Sequence, residues 1–141
     1  MDKFKTIRPI VLGLVVRDGK VLVGEGYDHK KNQTFYRALG GGIEFGETSK
    51  HALKREFFEE LDVSVQIGEY LGIAENIFVF NGKPAHEIVL MYKASIKDSD
   101  YQESYVIKDS EPESRVLWVD IADFVSGKKI LYPEEIIQYL R

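Results

Sequence analysis

The sequence predicts an α/β chain of the α+β kind, a mixed β-sheet sandwiched between helices, in a single domain over residues 1–141. Strand-like segments outnumber helical ones. Two turn pairs, Asp18-Gly19 and Asn81-Gly82, favour hairpins. One strongly patterned helix follows a run of glycines, Gly40 to Gly42.

Taken in order, the apolar run from Pro9 to Val16 reads as a buried strand, and Lys20 to Val23 returns from the Asp18-Gly19 turn as its partner. Glu25 to Thr34 is polar and reads as a loop, and Phe35 to Leu39 leads into the glycines. Val63 to Ile73 is extended, with an interruption at Gly68. Ile77 to Phe80 and Ala85 to Ile96 form a hairpin across Asn81-Gly82, and the second of these is long enough to be central. Lys97 to Ser114 is polar and expected as a loop, and Arg115 to Val119 is a further strand. Ile121 to Val125 is a short helix stopped by Gly127. Pro133 opens a last helix, with Glu134 and Glu135 in its first turn.

A chain of 141 residues can bury a core without staples. It has no cysteine, which excludes disulfides and thiolate metal sites. No apolar run approaches the ~20 residues of a membrane span. The N-terminus lacks the apolar segment and cleavage site of a signal peptide, so the cytoplasm is the expected compartment. The net charge of −4, with no basic tract, argues against a large nucleic-acid footprint but leaves room for a single nucleotide.

The central stretch runs from Leu39 to Val63. Thr48 or Ser49 can cap a helix that continues to about Leu61, through the good helix formers Ala52, Leu53, Lys54 and Arg55. Leu53, Phe57 and Leu61, spaced by four, make a core-facing stripe. Glu56, Glu59 and Glu60 share an adjacent arc with Ala52, which is small enough to leave room above it. Acidic and apolar stripes thus lie side by side, which puts the carboxylates at the sheltered edge of the packed layer. Hard cations such as Mg²⁺ or Mn²⁺ take oxygen ligands of this kind. In isolation three glutamates are more often a solvated face. The glycine run upstream shifts that balance, because glycine allows positive φ and close approach of backbone to ligand. Backbone N–H groups at such a loop can meet phosphate. Two familiar phosphate motifs are absent: Phe45 stands where glycine-x-glycine-x-x-glycine would need glycine, and there is no glycine-lysine-serine/threonine.

The register of these residues resembles the Nudix hydrolases, the MutT-like family. Their motif is a glycine, five residues, a glutamate, seven residues, arginine-glutamate, an apolar residue, any residue, two glutamates, any residue, a glycine and an apolar residue. Gly41, Glu47, Arg55, Glu56, Phe57, Phe58, Glu59, Glu60, Leu61 and Val63 stand in that register. Asp62 replaces the late glycine and Leu39 a frequent proline. Asp62 falls at a helix end, where aspartate tolerates positive φ better than most side chains.

The resemblance implies an α/β/α sandwich with the motif as a loop–helix–loop. It also implies divalent-metal-dependent hydrolysis of a diphosphate linking a nucleoside to another group X, with Mg²⁺ or Mn²⁺ as cofactor. It assigns catalysis to Glu56, Arg55 and Glu59, with Glu56 as a further metal ligand or the general base. The metal ligands it implies are Glu56, Glu59, Glu60, the Gly40 carbonyl and a carboxylate before the tryptophan strand, for which Glu111 is chosen over Glu113, with Glu103 weaker. Glu47 is expected to hold the loop through backbone hydrogen bonds, with Glu44 in a similar role or nearer the metals. Substrate contacts are expected from Gly40, Gly41 and Gly42, and from Arg37, Tyr36 and Tyr27. These last three, with Phe35, lie next to the motif and can stack on or grip a base, although about half should be ordinary packing. His86 opens a long strand toward the cleft, but a lone histidine is usually structural. The expected partner is a small nucleotide, and dimers are common in the family, so a homodimer is also an expectation. The alternatives are a nucleotide-binding or regulatory module without turnover, which usually carries a broken motif, and removal of diphosphate from RNA 5′ ends, which the acidic balance disfavours.

Overall fold

The computed structural model describes residues 5–107 and 114–141. Eight strands form a mixed sheet: β1 (Ile7–Arg17), β2 (Lys20–Asp28), β3 (Gln33–Gly42), β4 (Gln66–Phe80), β5 (Lys83–Ser95), β6 (Ser104–Ile107), β7 (Ser114–Asp120) and β8 (Leu131–Tyr132). The helix α1 (Ser49–Leu61) separates β3 from β4, and the short α2 (Ile121–Val125) follows β7. The order across the sheet is β4-β5-β1-β3-β2-β7-β6, with β8 beside β3. Pairing is parallel for β1 with β5 and for β3 with β8, and antiparallel elsewhere.

Alternation along β1 explains the two cores. Ile10, Leu12 and Leu14 point to one face, and Val11 and Val15 to the other. The first face is covered by Phe124 of α2 and Ile136 of the C-terminal segment. The second is covered by α1 through Ala52, Leu53, Phe57 and Leu61, with Val63 and Val65 just beyond. Helices therefore lie on both sides of the sheet, as the sequence predicts. Gly13 is needed beneath α1, because a Cβ there would press on Leu53 and Phe57 at 3.2–3.3 Å.

The polar stretch expected as a loop from Glu25 to Thr34 is largely strand. Val23 to Asp28 pairs residue by residue with Gln33 to Ala38, leaving only 29–32 as the turn. The glycine run is the end of β3 rather than a loop, laddered against Ile10 to Leu12. β4 runs unbroken through Ala74 to Asn76, with register shifts between Ile67 and Gly72 that bracket Gly68. The expected loop from Lys97 to Ser114 contains β6, and the last helix is a 3₁₀ segment, Glu134–Tyr139.

β3 belongs to two pairings in succession. Its first part pairs with β2, and Leu39 to Gly42 pair with β1. That change of partner brings the glycines beneath the middle of α1, with Gly41 against Glu56 and Gly42 against Arg55.

Candidate active site

The start of α1 is set by Thr48, whose Oγ1 accepts from the His51 backbone N–H at 3.2 Å. Its end is set by Asp62 in the left-handed region (φ 57°), whose N–H donates to the Phe58 carbonyl at 2.9 Å. Aspartate thus supplies the turn for which glycine is the usual choice.

Arg55 is the hub of the site. Its Nε donates to Glu47 Oε2 at 2.8 Å and its Nη2 to Glu47 Oε1 at 2.9 Å. Nη2 also donates to the Gly42 carbonyl at 3.0 Å, while Nη1 donates to Glu56 at 3.0 Å and Glu59 at 3.3 Å. Glu47 additionally accepts from the Glu44 backbone N–H at 3.0 Å, which fixes the turn between β3 and α1. The forked Arg55–Glu47 pair is a strong, orienting contact. It drives the Glu47 carboxyl down to about 2, with help from the Glu44 N–H, and pushes the Arg55 guanidinium further up.

The Glu56 carboxylate lies against the glycine strand. A Cβ on Gly41 would sit 2.5 Å from its carboxyl carbon. Glu60 behaves differently from Glu47. Burial, then a hydrogen bond with Glu56 and the nearness of Glu56 and Glu59, push its carboxyl up to about 8. These carboxyls have a proton to share where a cation would otherwise balance them. An all-oxygen donor set under that strain fits a hard cation. Among the described residues, however, no three acidic or histidine side chains are already gathered about one point.

The two shifts have opposite consequences for stability. Glu47 lies below its ordinary 4.5, so its contribution is present above pH 4.5 and is lost as pH falls toward 2. Glu60 lies above 4.5, so its contribution is present below pH 4.5 and is lost as pH rises through about 8. Metal-free protein should therefore lose stability between pH 5 and 8 at this site. Thermal melts across that range should show the loss in the wild type and a shallower one in Glu60→Gln.

A cleft of about 1210 Å³ opens on the other side of the glycine strand. A Cβ on Gly42 would lie 3.6 Å from the Arg8 guanidinium, so neighbouring glycines face Glu56 and Arg8 respectively. Phe35, Phe78, Phe80 and Tyr132 line the cleft together with Arg37 and Glu87.

The structure brings Glu47, Arg55, Glu56, Glu59 and Glu60 together with Gly41 and Gly42, and it places Arg37 in the cleft wall. Gly40 lies opposite Leu12 in the β1–β3 ladder. It does not gather Tyr36 or Tyr27. Tyr36 is core, its ring edge-on to Phe124 and its hydroxyl donating to Glu25 at 3.2 Å. Tyr27 is exposed, packs against His29 and does not line the cleft. Glu111 and Glu113 lie outside the described residues, and Glu103 is exposed. His86 lines the cleft, and its Nε2 is buried with no hydrogen-bond partner among the described residues. Glu87 and Arg8 were not anticipated. The sequence hint for Glu87 is its place directly before the apolar run Ile88 to Met91, while its pairing with two arginines leaves no local trace.

A mixed sheet between helices, with an arginine-braced acidic helix beneath a glycine-rich strand end, defines a class of α/β/α protein. The chain belongs to the NUDIX family, whose domain model matches residues 6–140. It is 32% identical over 62 residues to the CTP pyrophosphohydrolase of Escherichia coli (strain K12). That match spans 44% of this chain and about half, 46%, of the length of the relative. Among solved structures it is similar to a MutT NUDIX hydrolase from Burkholderia pseudomallei, with a TM-score of 0.68 and 19% identity, covering 96% of this chain and 98% of that one. It is also similar to a NUDIX hydrolase from Nitrosomonas europaea, with a TM-score of 0.68 and 16% identity, covering 94% and 85%. At these identities the structural likeness is one of fold. Among the described residues no helix is long and apolar enough to cross a membrane.

Proposed function

We propose that the chain is a divalent-metal-dependent hydrolase of a diphosphate that links a nucleoside to another group X. The observation that carries this reading is the half-buried Glu60 carboxyl hydrogen-bonded to Glu56, in a cluster where Arg55 is the cation. A hard cation here supplies charge screening for the diphosphate and acidifies water. Glu56, Glu59 and Glu60 would hold it. Arg55 orients Glu56 and Glu59 through its Nη1 hydrogen bonds. Glu56 takes the proton of the attacking water. Gly41 leaves room for the Glu56 carboxyl, and Gly42 anchors Arg55 through its carbonyl. The aromatic cleft beyond Gly42 receives the nucleoside. The family resemblance and the E. coli relative put nucleoside triphosphates first on the list of substrates to test.

The test is release of phosphate, pyrophosphate or nucleoside monophosphate from a panel of nucleoside triphosphates and diphosphate derivatives. It is run with Mg²⁺, with Mn²⁺ and with a chelator. Turnover that the chelator does not stop overturns the reading, as does a panel on which nothing is cleaved. Binding offers a second measurement. Mg²⁺ at a hundred times its dissociation constant should stabilise the fold by about 2.7 kcal/mol. At one fixed Mg²⁺ concentration the effect should be larger at pH 8 than at pH 6, where Glu60 still holds its proton, and should vanish in Glu60→Gln.

A further inference from the structure

The cleft wall holds a charged arrangement that the carboxylate helix does not use. Glu87 on β5 is 2% exposed. Its Oε1 accepts from Arg37 Nη2 at 2.6 Å, and its Oε2 lies 3.7 Å from Arg8 Nη1. In the strand order β5-β1-β3, arginines from two strands thus converge on the glutamate of a third. A buried carboxylate needs a charged partner, and either arginine could serve. With Arg8 also beside the carboxylate, Arg37 need not commit its whole guanidinium to Glu87. Arg37 keeps 31% of its side chain exposed, against 62% for Arg8, and its guanidinium makes no other hydrogen bond among the described residues. A guanidinium carries five coplanar N–H donors. With one Nη2–H engaged by Glu87, the other Nη2–H still shares an edge of the guanidinium with a neighbouring N–H, and that edge remains as a two-donor fork for a ligand in the cleft.

The same cleft carries a set of flat rings. Phe35 meets Phe80 edge-on, centroids 5.6 Å apart, and Tyr132 at a tilt, also 5.6 Å. Rings that can hold a planar ligand, beside a planar donor fork fixed in direction, make a site that reads the edge of a heterocycle.

We propose that Arg37, held in place by Glu87, selects the nucleobase, favouring rings with two adjacent hydrogen-bond acceptors on one edge. Guanine has such a pair in O6 and N7, and cytosine in O2 and N3. Adenine places its amino donor beside N7, and uracil places N3–H between its two oxygens, so each turns a donor toward a donor. Arg37 touches the base. Glu87 is a positioning residue that fixes the guanidinium plane, and Arg8 steadies its second oxygen. This inference rests on the nucleotide-hydrolase reading above, but its test does not require turnover.

The experiment is calorimetric binding of ATP, GTP, CTP and UTP to the full chain in the presence of a chelator, with metal-dependent turnover of the same four measured separately. GTP or CTP should bind at least about tenfold tighter than ATP and UTP, and the two arms show which acceptor edge is used. Arg37→Lys keeps a charge beside Glu87 while losing the planar fork, so it should fold and bind all four alike. Glu87→Gln should narrow the preference without abolishing binding. A merely structural pair would lower the melting temperature in these variants and leave the affinity ratios as they were, which would overturn the inference. Equal wild-type affinities, or no binding of any of the four, would overturn it as well. Turnover that ignores the base would do so while leaving the hydrolase intact. Selective binding without turnover would support base selection and sink the hydrolase reading.

Discussion

Glu56→Gln should lower turnover by roughly 10²–10⁴-fold, the span of a lost general base, while the variant folds and melts close to the wild type. The side chain keeps its shape, and its amide still fits the space that Gly41 leaves open. What disappears is a carboxylate that Arg55 holds within 3.0 Å. The measurement is kcat at saturating metal beside a thermal melt. Wild-type turnover in this variant would remove Glu56 from the mechanism. A matched fall in melting temperature would make its role one of folding.

Gly40→Ala should be the most damaging single change to the fold. A Cβ there would sit 1.9 Å from the Val11 carbonyl oxygen and 2.9 Å from the Leu12 Cα, at φ 153°. Both neighbours are backbone of β1, the strand flanked by β5 and β3 in the centre of the sheet. No rotamer relieves the contact, so the ladder itself must move. The cost should exceed about 4 kcal/mol, a range reached by overpacking and backbone strain rather than by surface changes. Denaturant unfolding of Gly40→Ala beside Gly46→Ala separates space from conformation. Gly46 also has positive φ (82°), but nothing lies within 4 Å of its added methyl. Equal losses in the two variants would mean that conformation, and not the collision with Val11, sets the requirement.

Local chemistry made α1 legible. The cap at Thr48, the apolar stripe Leu53, Phe57, Leu61 and the left-handed Asp62 are all decided within a few residues of sequence, and the structure has them as expected. The two glycine turns were legible for the same reason, with positive φ at Asp18, Gly19, Asn81 and Gly82. The far half of β2 was hidden because its residues are polar and half exposed, and only pairing with β3 makes them a strand. β6 was hidden because four residues gain strand character only by lying beside β7. Tyr36 was grouped with the substrate contacts although it packs in the core, because adjacency in sequence does not fix which face a strand residue takes. Arg37, its neighbour, lines the cleft while Tyr36 turns into the core. Glu87 depends on two arginines, one 79 and one 50 positions away in the chain, meeting on a third strand. No local pattern carries that.

β3 changes partner midway, and the consequence is metric. Arg37 and Gly41 stand on one continuous strand, four residues apart. At about 3.3 Å per residue they can be no more than about 13 Å apart. A strand laddered along its whole length, first to β2 and then to β1, has little freedom to stretch or shorten. On the proposed reading, the distance between the group that grips one end of a ligand and the group that flanks the scissile end is therefore set by covalent backbone rather than by loops. The strand acts as a ruler: a ligand must be long enough to reach from one mark to the other, and a headgroup attached by too short a bridge would engage one end and miss the other.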